Sequence, residues 1–65
     1  MKNQRTMTER RAVILARFCD RRGFIGFGLS MASIAQNGTG HEQSVSNWWE
    51  DYVSHLVARK KLNQN

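Results

Sequence analysis

A chain of 65 residues with a formal net charge of +5 holds one small domain. Its single cysteine, Cys19, excludes an intramolecular disulfide, which suits a reducing cytoplasm, and no apolar run approaches the ~20 residues of a membrane-spanning helix. Such a chain buries only about 60% of its unfolded surface, so nearly every large apolar residue is needed in one core and no separate cofactor domain fits. The basic N-terminus leads into "AVILARFC", but Arg17 interrupts that run, and no signal peptide is read.

Charge is distributed in blocks. Residues 1–22 carry Lys2, Arg5, Arg10, Arg11, Arg17, Arg21 and Arg22 against Glu9 and Asp20, and Arg59, Lys60 and Lys61 close the chain. Residues 23–58 contain no Lys or Arg, only Glu42, Glu50 and Asp51. Basic ends of this kind suit nucleic acid or another polyanion.

In chain order, Thr6-Met7-Thr8-Glu9 has the spacing of a capping box, which predicts a helix over 7–22. Met7, Ile14, Leu15 and Phe18 form its apolar stripe, flanked by Val13 and Cys19. Gly23 is placed to end it in the left-handed conformation, with Arg21 and Arg22 in the last turn where cations suit the helix dipole. Residues 23–28 leave room for a short extended segment carrying Phe24, Ile25 and Phe27, of which the aromatics plug the core. Ser30 caps a second helix over 31–36, with Leu29, Ile34 and Ala35 inward and Asn37-Gly38 as its stop. Thr39-Gly40-His41-Glu42 repeats the box spacing, so a third helix starts there or at Ser44 and runs to about Lys60. Val45, Trp48, Trp49, Tyr52, Val53 and Leu56 cover its apolar face. The expected architecture is all-α: a three-helix bundle over 6–62 with flexible tails at 1–5 and 63–65. Phe18, Ile34, Val45 and Leu56 are expected in one core.

The glycines of "GFIGFG" do not make a phosphate loop. A dinucleotide fingerprint needs a preceding strand and a βαβ unit, and a P-loop needs Gly-Lys-Ser/Thr; here a helix precedes, and Gly28-Leu29-Ser30 lacks the lysine. Their expected role is to turn the chain between the first two helices.

The stretch "SMASIAQNGTGHEQSVSNWW" resembles a helix-turn-helix. Ile34-Ala35 fit its first helix, Val45 lies ten residues after Ala35, and Trp48 lies three after Val45. With "TERRAVILARFCDRRGF" before it and "WWEDYVSHLVARKKL" after it, the whole is similar to the three-helix core of winged-helix repressors, without the wing. The turn "NGTGHE" departs from the family pattern in having two glycines and no apolar residue. The resemblance implies that Gln43, Ser46 and Asn47 reach base edges, where Gln and Asn can bond bidentately to adenine. It implies that Arg10, Arg11, Arg17, Arg21, Arg22, Arg59, Lys60 and Lys61 contact phosphates. Glu50 and Asp51 on that recognition helix would repel a phosphate backbone.

Cys19, His41 and His55 lack the paired spacing of a zinc site, no carboxylate pair or oriented nucleophile stands out, and neither an enzyme, a metal nor a cofactor is expected. "WWEDY" is the other unusual feature. Trp and Tyr dominate interface hot spots, so Trp48, Glu50, Asp51, Tyr52 and His55 are candidate protein-binding residues. The first expectation is a cytoplasmic DNA-binding protein with no membrane association, acting as a dimer, a phage, plasmid or bacterial regulator of transcription or recombination. The alternative is a protein-binding module, such as a phage-type inhibitor or adaptor of a host enzyme or polymerase, that uses the acidic aromatic third helix. A structural protein contacting packaged nucleic acid is the third.

Overall fold

The computed structural model describes residues 5–63, and among them it contains three helices and no strand: α1 (Met7–Arg21), α2 (Ile25–Gln36) and α3 (Glu42–Asn63). The all-α three-helix bundle is therefore the architecture of the protein. α1 is the central element. α2 packs along it most extensively, α3 packs along it more sparsely, and the backbones of α2 and α3 approach one another least.

The first capping box forms as the spacing predicts. Thr6 Oγ1 accepts the Glu9 N–H at 3.2 Å, and Glu9 Oε1 accepts the Thr6 N–H at 3.0 Å. At the other end Gly23 has φ +83°, its N–H donates to the Asp20 carbonyl, and the Phe24 N–H donates to the Cys19 carbonyl at 2.8 Å. That pair of bonds is a Schellman motif, which closes α1 one residue earlier than expected, with Arg22 as its C-cap.

The second helix begins at Ile25, six residues before the expected start, and residues 23–28 hold no extended segment. Only Gly23 turns the chain. Gly28 is buried inside α2, where a Cβ would meet the Asp20 side chain and stand 3.4 Å from the Ala16 carbonyl oxygen. The glycine that looks like a turn residue is a close-approach point between two helices, and packing outweighs its poor helix propensity of about 1 kcal/mol. Phe24 and Phe27 do not plug the core; they are exposed, as are Ile25 and Leu29.

The core consists of Ala12, Leu15, Met31, Ile34, Ala35 and Val45, with Cys19 also buried. Val13, Ala16, Trp48, Trp49 and Tyr52 pack against it, half-buried. Ala12, Leu15, Ala16 and Cys19 share one face of α1, so the seam toward α2 is built mainly from small side chains that let the backbones approach. This differs from the expected stripe: Met7 and Ile14 are exposed and Phe18 is half-buried. Burial pushes the Cys19 thiol up from its ordinary value, with the Asp20 charge adding to the effect.

α3 starts between the two expected positions, so Glu42 is its first residue and the Thr39 spacing does not build a second capping box. The turn before it is held instead by the Thr39 N–H on Asn37 Oδ1 at 3.2 Å and by Gly40 at φ +84°. The helix runs to Asn63, past the expected end, so Asn63 belongs to α3 and not to a tail. The remaining tail positions, 1–4 and 64–65, lie outside the described residues. A helix of 22 residues is about 33 Å long, and its C-terminal half meets α1 through His55 on Phe18 and across an open cleft. Leu56 is consequently 45% exposed and Val53 40%, which removes Leu56 from the core it was expected to share with Ile34 and Val45.

Candidate functional site

Two matching stripes face each other across the structure. On α1, Ile14, Arg17, Phe18 and Arg21 follow the spacing i, i+3, i+4, i+7, which puts them on one helical face. On α3, Tyr52, His55, Leu56 and Arg59 repeat that spacing, with an apolar residue at the first and third positions and arginine at the fourth. The two helices run in the same sense. Arg11 lies over the Trp49 ring at 5.0 Å, and farther along Phe18 meets Tyr52 at 5.1 Å and His55 at 5.5 Å. The stripes, joined by Arg22, line a cleft of about 190 Å³.

The aromatic contacts set the depth of this cleft. Phe18 meets Tyr52 edge-on and Tyr52 packs on Trp49 at 5.0 Å, pairs worth about 0.5–1.5 kcal/mol each beyond their buried area. Arg22 stands over the Phe18 ring at 5.5 Å. Phe18, Tyr52, Ile14 and Leu56 thus make an apolar floor, and Arg17, Arg21, Arg22 and Arg59 make its rim.

No carboxylate lines the cleft. None of its four arginines forms an ion pair among the described residues, where the single charged contact is His55 Nε2 to Asp51 Oδ2 at 3.6 Å, one helical turn apart and partly exposed. Four guanidinium groups from two helices repel one another, and an anion in the cleft relieves that repulsion. Each guanidinium is a planar fork of donors that fits a phosphate bidentately, and a low-polarity floor strengthens the interaction.

The other expected DNA contacts fall elsewhere. Arg10 lies on the same face of α1 as Arg17 and Arg21, two turns toward the N-terminus, and extends their track without lining the cleft. Arg11 is half-buried over Trp49. Lys60 and Lys61 are exposed on the last turns of α3. Gln43 and Asn47 are exposed on the outward face of α3, where the Gln43 amide donates to the Asn47 Oδ1 at 3.0 Å, and Ser46 is half-buried beside them. Glu50 shares that outward face.

The acidic aromatic set is also divided. Tyr52 and His55 turn into the cleft, Trp48 is half-buried against Phe27 at 4.9 Å, and Glu50 and Asp51 remain in solvent. The cleft floor went unread in the sequence: Phe18 and Leu56 looked like core, and Ile14 like part of the same stripe. The signal that marks them is arginine recurring on the apolar face itself, at 17, 21 and 59, rather than opposite it.

Ile34, Ala35 and Val45 are buried together, while α2 and α3 pack on α1 in preference to each other. Among the described residues no three of His, Cys, Asp and Glu gather as a metal site, and no helix is long and apolar enough to cross a membrane. No family model matches this chain, and neither a curated protein nor a solved structure matches it.

Proposed function

We propose that this protein binds DNA through the cleft between α1 and α3, with Arg17, Arg21, Arg22 and Arg59 on backbone phosphates and Arg10 continuing the track along α1. The observation that carries this reading is the convergence of four arginines from two helices with no acidic side chain among them. Gln43 and Asn47 contribute less, because their amides bond each other and Glu50 shares their face.

Binding of this kind is dominated by counterion release, so log K falls linearly with log salt, by about 0.9 for each duplex phosphate neutralised and about 0.7 for each single-strand phosphate. A salt-titrated anisotropy measurement on labelled DNA tests it. Arg17→Gln and Arg59→Gln should each flatten the slope by about one phosphate's worth, and Lys61→Gln, on the outward face of α3, should not. Absence of binding at ~50 mM salt, or a slope indifferent to Arg17 and Arg59, would remove the reading.

A second reading, a protein-binding module, is favoured by a different surface. α2 carries no charged residue in its twelve positions, yet Phe24, Ile25, Phe27 and Leu29 at its beginning are all exposed. An exposed apolar cluster of this kind marks an interaction surface. A second copy of the chain is the simplest cover. Sedimentation velocity over a concentration series should then show a dimer that Ile25→Gln/Leu29→Gln abolishes; a monomer at all concentrations sinks this reading.

A further inference from the structure

The cleft has a floor that duplex DNA does not need. A duplex offers a protein its phosphates, its sugars and the edges of its bases; the base faces stay stacked inside. Arginines on a flat surface suffice for the phosphates. Here the four arginines surround Phe18, Tyr52, Ile14 and Leu56, and Ile14 and Leu56 remain exposed at 39% and 45%. Singly exposed apolar residues are ordinary, but these four line one cleft together with arginines, and a contiguous apolar patch rimmed by charge marks a binding surface. A ligand that complements this surface carries negative charge and an apolar, flat surface in the same repeating unit.

We infer that the ligand of the α1–α3 cleft is single-stranded DNA, its phosphates on the arginine rim and its unpaired bases against the aromatic and aliphatic floor. This rests on the DNA-binding reading above and narrows it. The combination matches how single strands are held without sequence preference: a basic groove that follows the backbone, and aromatic rings against which any base can stack. Arginine planes add to this surface, because a guanidinium stacks on a base as well as pairing with a phosphate. Arg22 lies over the Phe18 ring at 5.5 Å, so its guanidinium is part of the surface that a base entering there would meet. The cleft, about 190 Å³, is somewhat larger than the ~150 Å³ cavity that takes up a benzene ring, so it has room for a single unpaired base.

The test uses the full chain and two probes: labelled oligothymidylate of roughly 16 nucleotides, and a duplex of the same length, each titrated at several salt concentrations. The single strand should bind at least about tenfold tighter. Leu56→Gln removes floor at an exposed position, and Phe18→Leu removes the ring while keeping an apolar residue. Each should weaken single-strand binding by about tenfold and leave duplex binding unchanged, whereas Arg17→Gln should weaken both. Circular dichroism melts establish that each variant is folded; if Phe18→Leu is not, Leu56→Gln carries the test alone. Duplex binding equal to or tighter than single-strand binding overturns this inference and leaves DNA binding standing, as does single-strand affinity unchanged by the floor variants. No binding to either probe overturns both.

Discussion

Gly38 donates its backbone N–H to Glu9 Oε2 at 2.8 Å, across 29 positions of the chain. The same carboxylate caps α1 through Thr6, so one side chain holds the first turn of α1 to the loop between α2 and α3. The bonds from Gly38 and then Thr6 keep the Glu9 carboxyl below its ordinary 4.5. A carboxylate with a depressed folded value stabilises the fold above its unfolded value, and that contribution is lost as pH falls through the folded one. The parent should therefore lose thermal stability as pH drops below 4.5. Glu9→Gln should be less stable at neutral pH and show a shallower acid limb. Superimposable acid limbs, followed by circular dichroism, would deny Glu9 this role.

Gly38 itself has no room for a side chain. A Cβ there would stand 3.0 Å from Glu9 Cγ and 3.1 Å from Thr8 Cγ2, and Glu9 is fixed at both ends by its hydrogen bonds. Gly38→Ala should destabilise by about 1–3 kcal/mol, the usual range for overpacking. Because it acts on the same side chain, its effect and that of Glu9→Gln should be non-additive in a double-mutant cycle. Strict additivity would mean that the two positions are energetically independent.

Leu15 and Leu56 differ sharply although both lie on apolar helical stripes. Leu15 is fully buried, and Leu15→Ala should cost about 2–5 kcal/mol, comparable to the whole stability of so small a core. Leu56→Ala, at a position 45% exposed, should cost about 1 kcal/mol or less. Thermal unfolding of the two variants checks the ranking, and equal losses would contradict the placement of α3.

Gly23 and Gly26 should respond to alanine in opposite directions. At φ +83° Gly23 is in the left-handed region, where an L side chain costs about 1–2 kcal/mol. Gly26 is an exposed position within α2 with open space around its missing Cβ, so Gly26→Ala should stabilise by about 0.5–1 kcal/mol. Denaturant midpoints measured for both give the signs directly; a destabilised Gly26→Ala would argue that the first turn of α2 is not helical in solution.

Glu50 separates the cleft from the outward face of α3 as the DNA surface. It stands on the face of Gln43 and Asn47, away from the arginines. If DNA lies in the cleft, Glu50→Gln should leave affinity and salt slope unchanged. If α3 enters a groove by its outward face, removing that charge should raise affinity, most at low salt where screening is weakest. Titrations at two ionic strengths decide between them.

The local features of this chain are legible in its residues. The Thr6–Glu9 box and Gly23 mark both ends of α1 because capping depends on side chains within a few positions of one another. The three-helix architecture follows from apolar periodicity for the same reason. What the sequence could not say is how the helices are arranged. Gly28 reads as a turn residue until α1 is laid beside it, because its use is a missing side chain at a contact 12 positions away from Ala16. Phe18 and Leu56 read as core because periodicity reports which face is apolar, and only the tertiary structure decides whether another helix covers that face. The basic ends are plain in the sequence. Their meeting in one cleft is not, because Arg17 and Arg59 line it together only when α1 and α3 run side by side in the same direction, held by contacts such as Phe18–Tyr52 and Arg11–Trp49 between residues far apart in the chain.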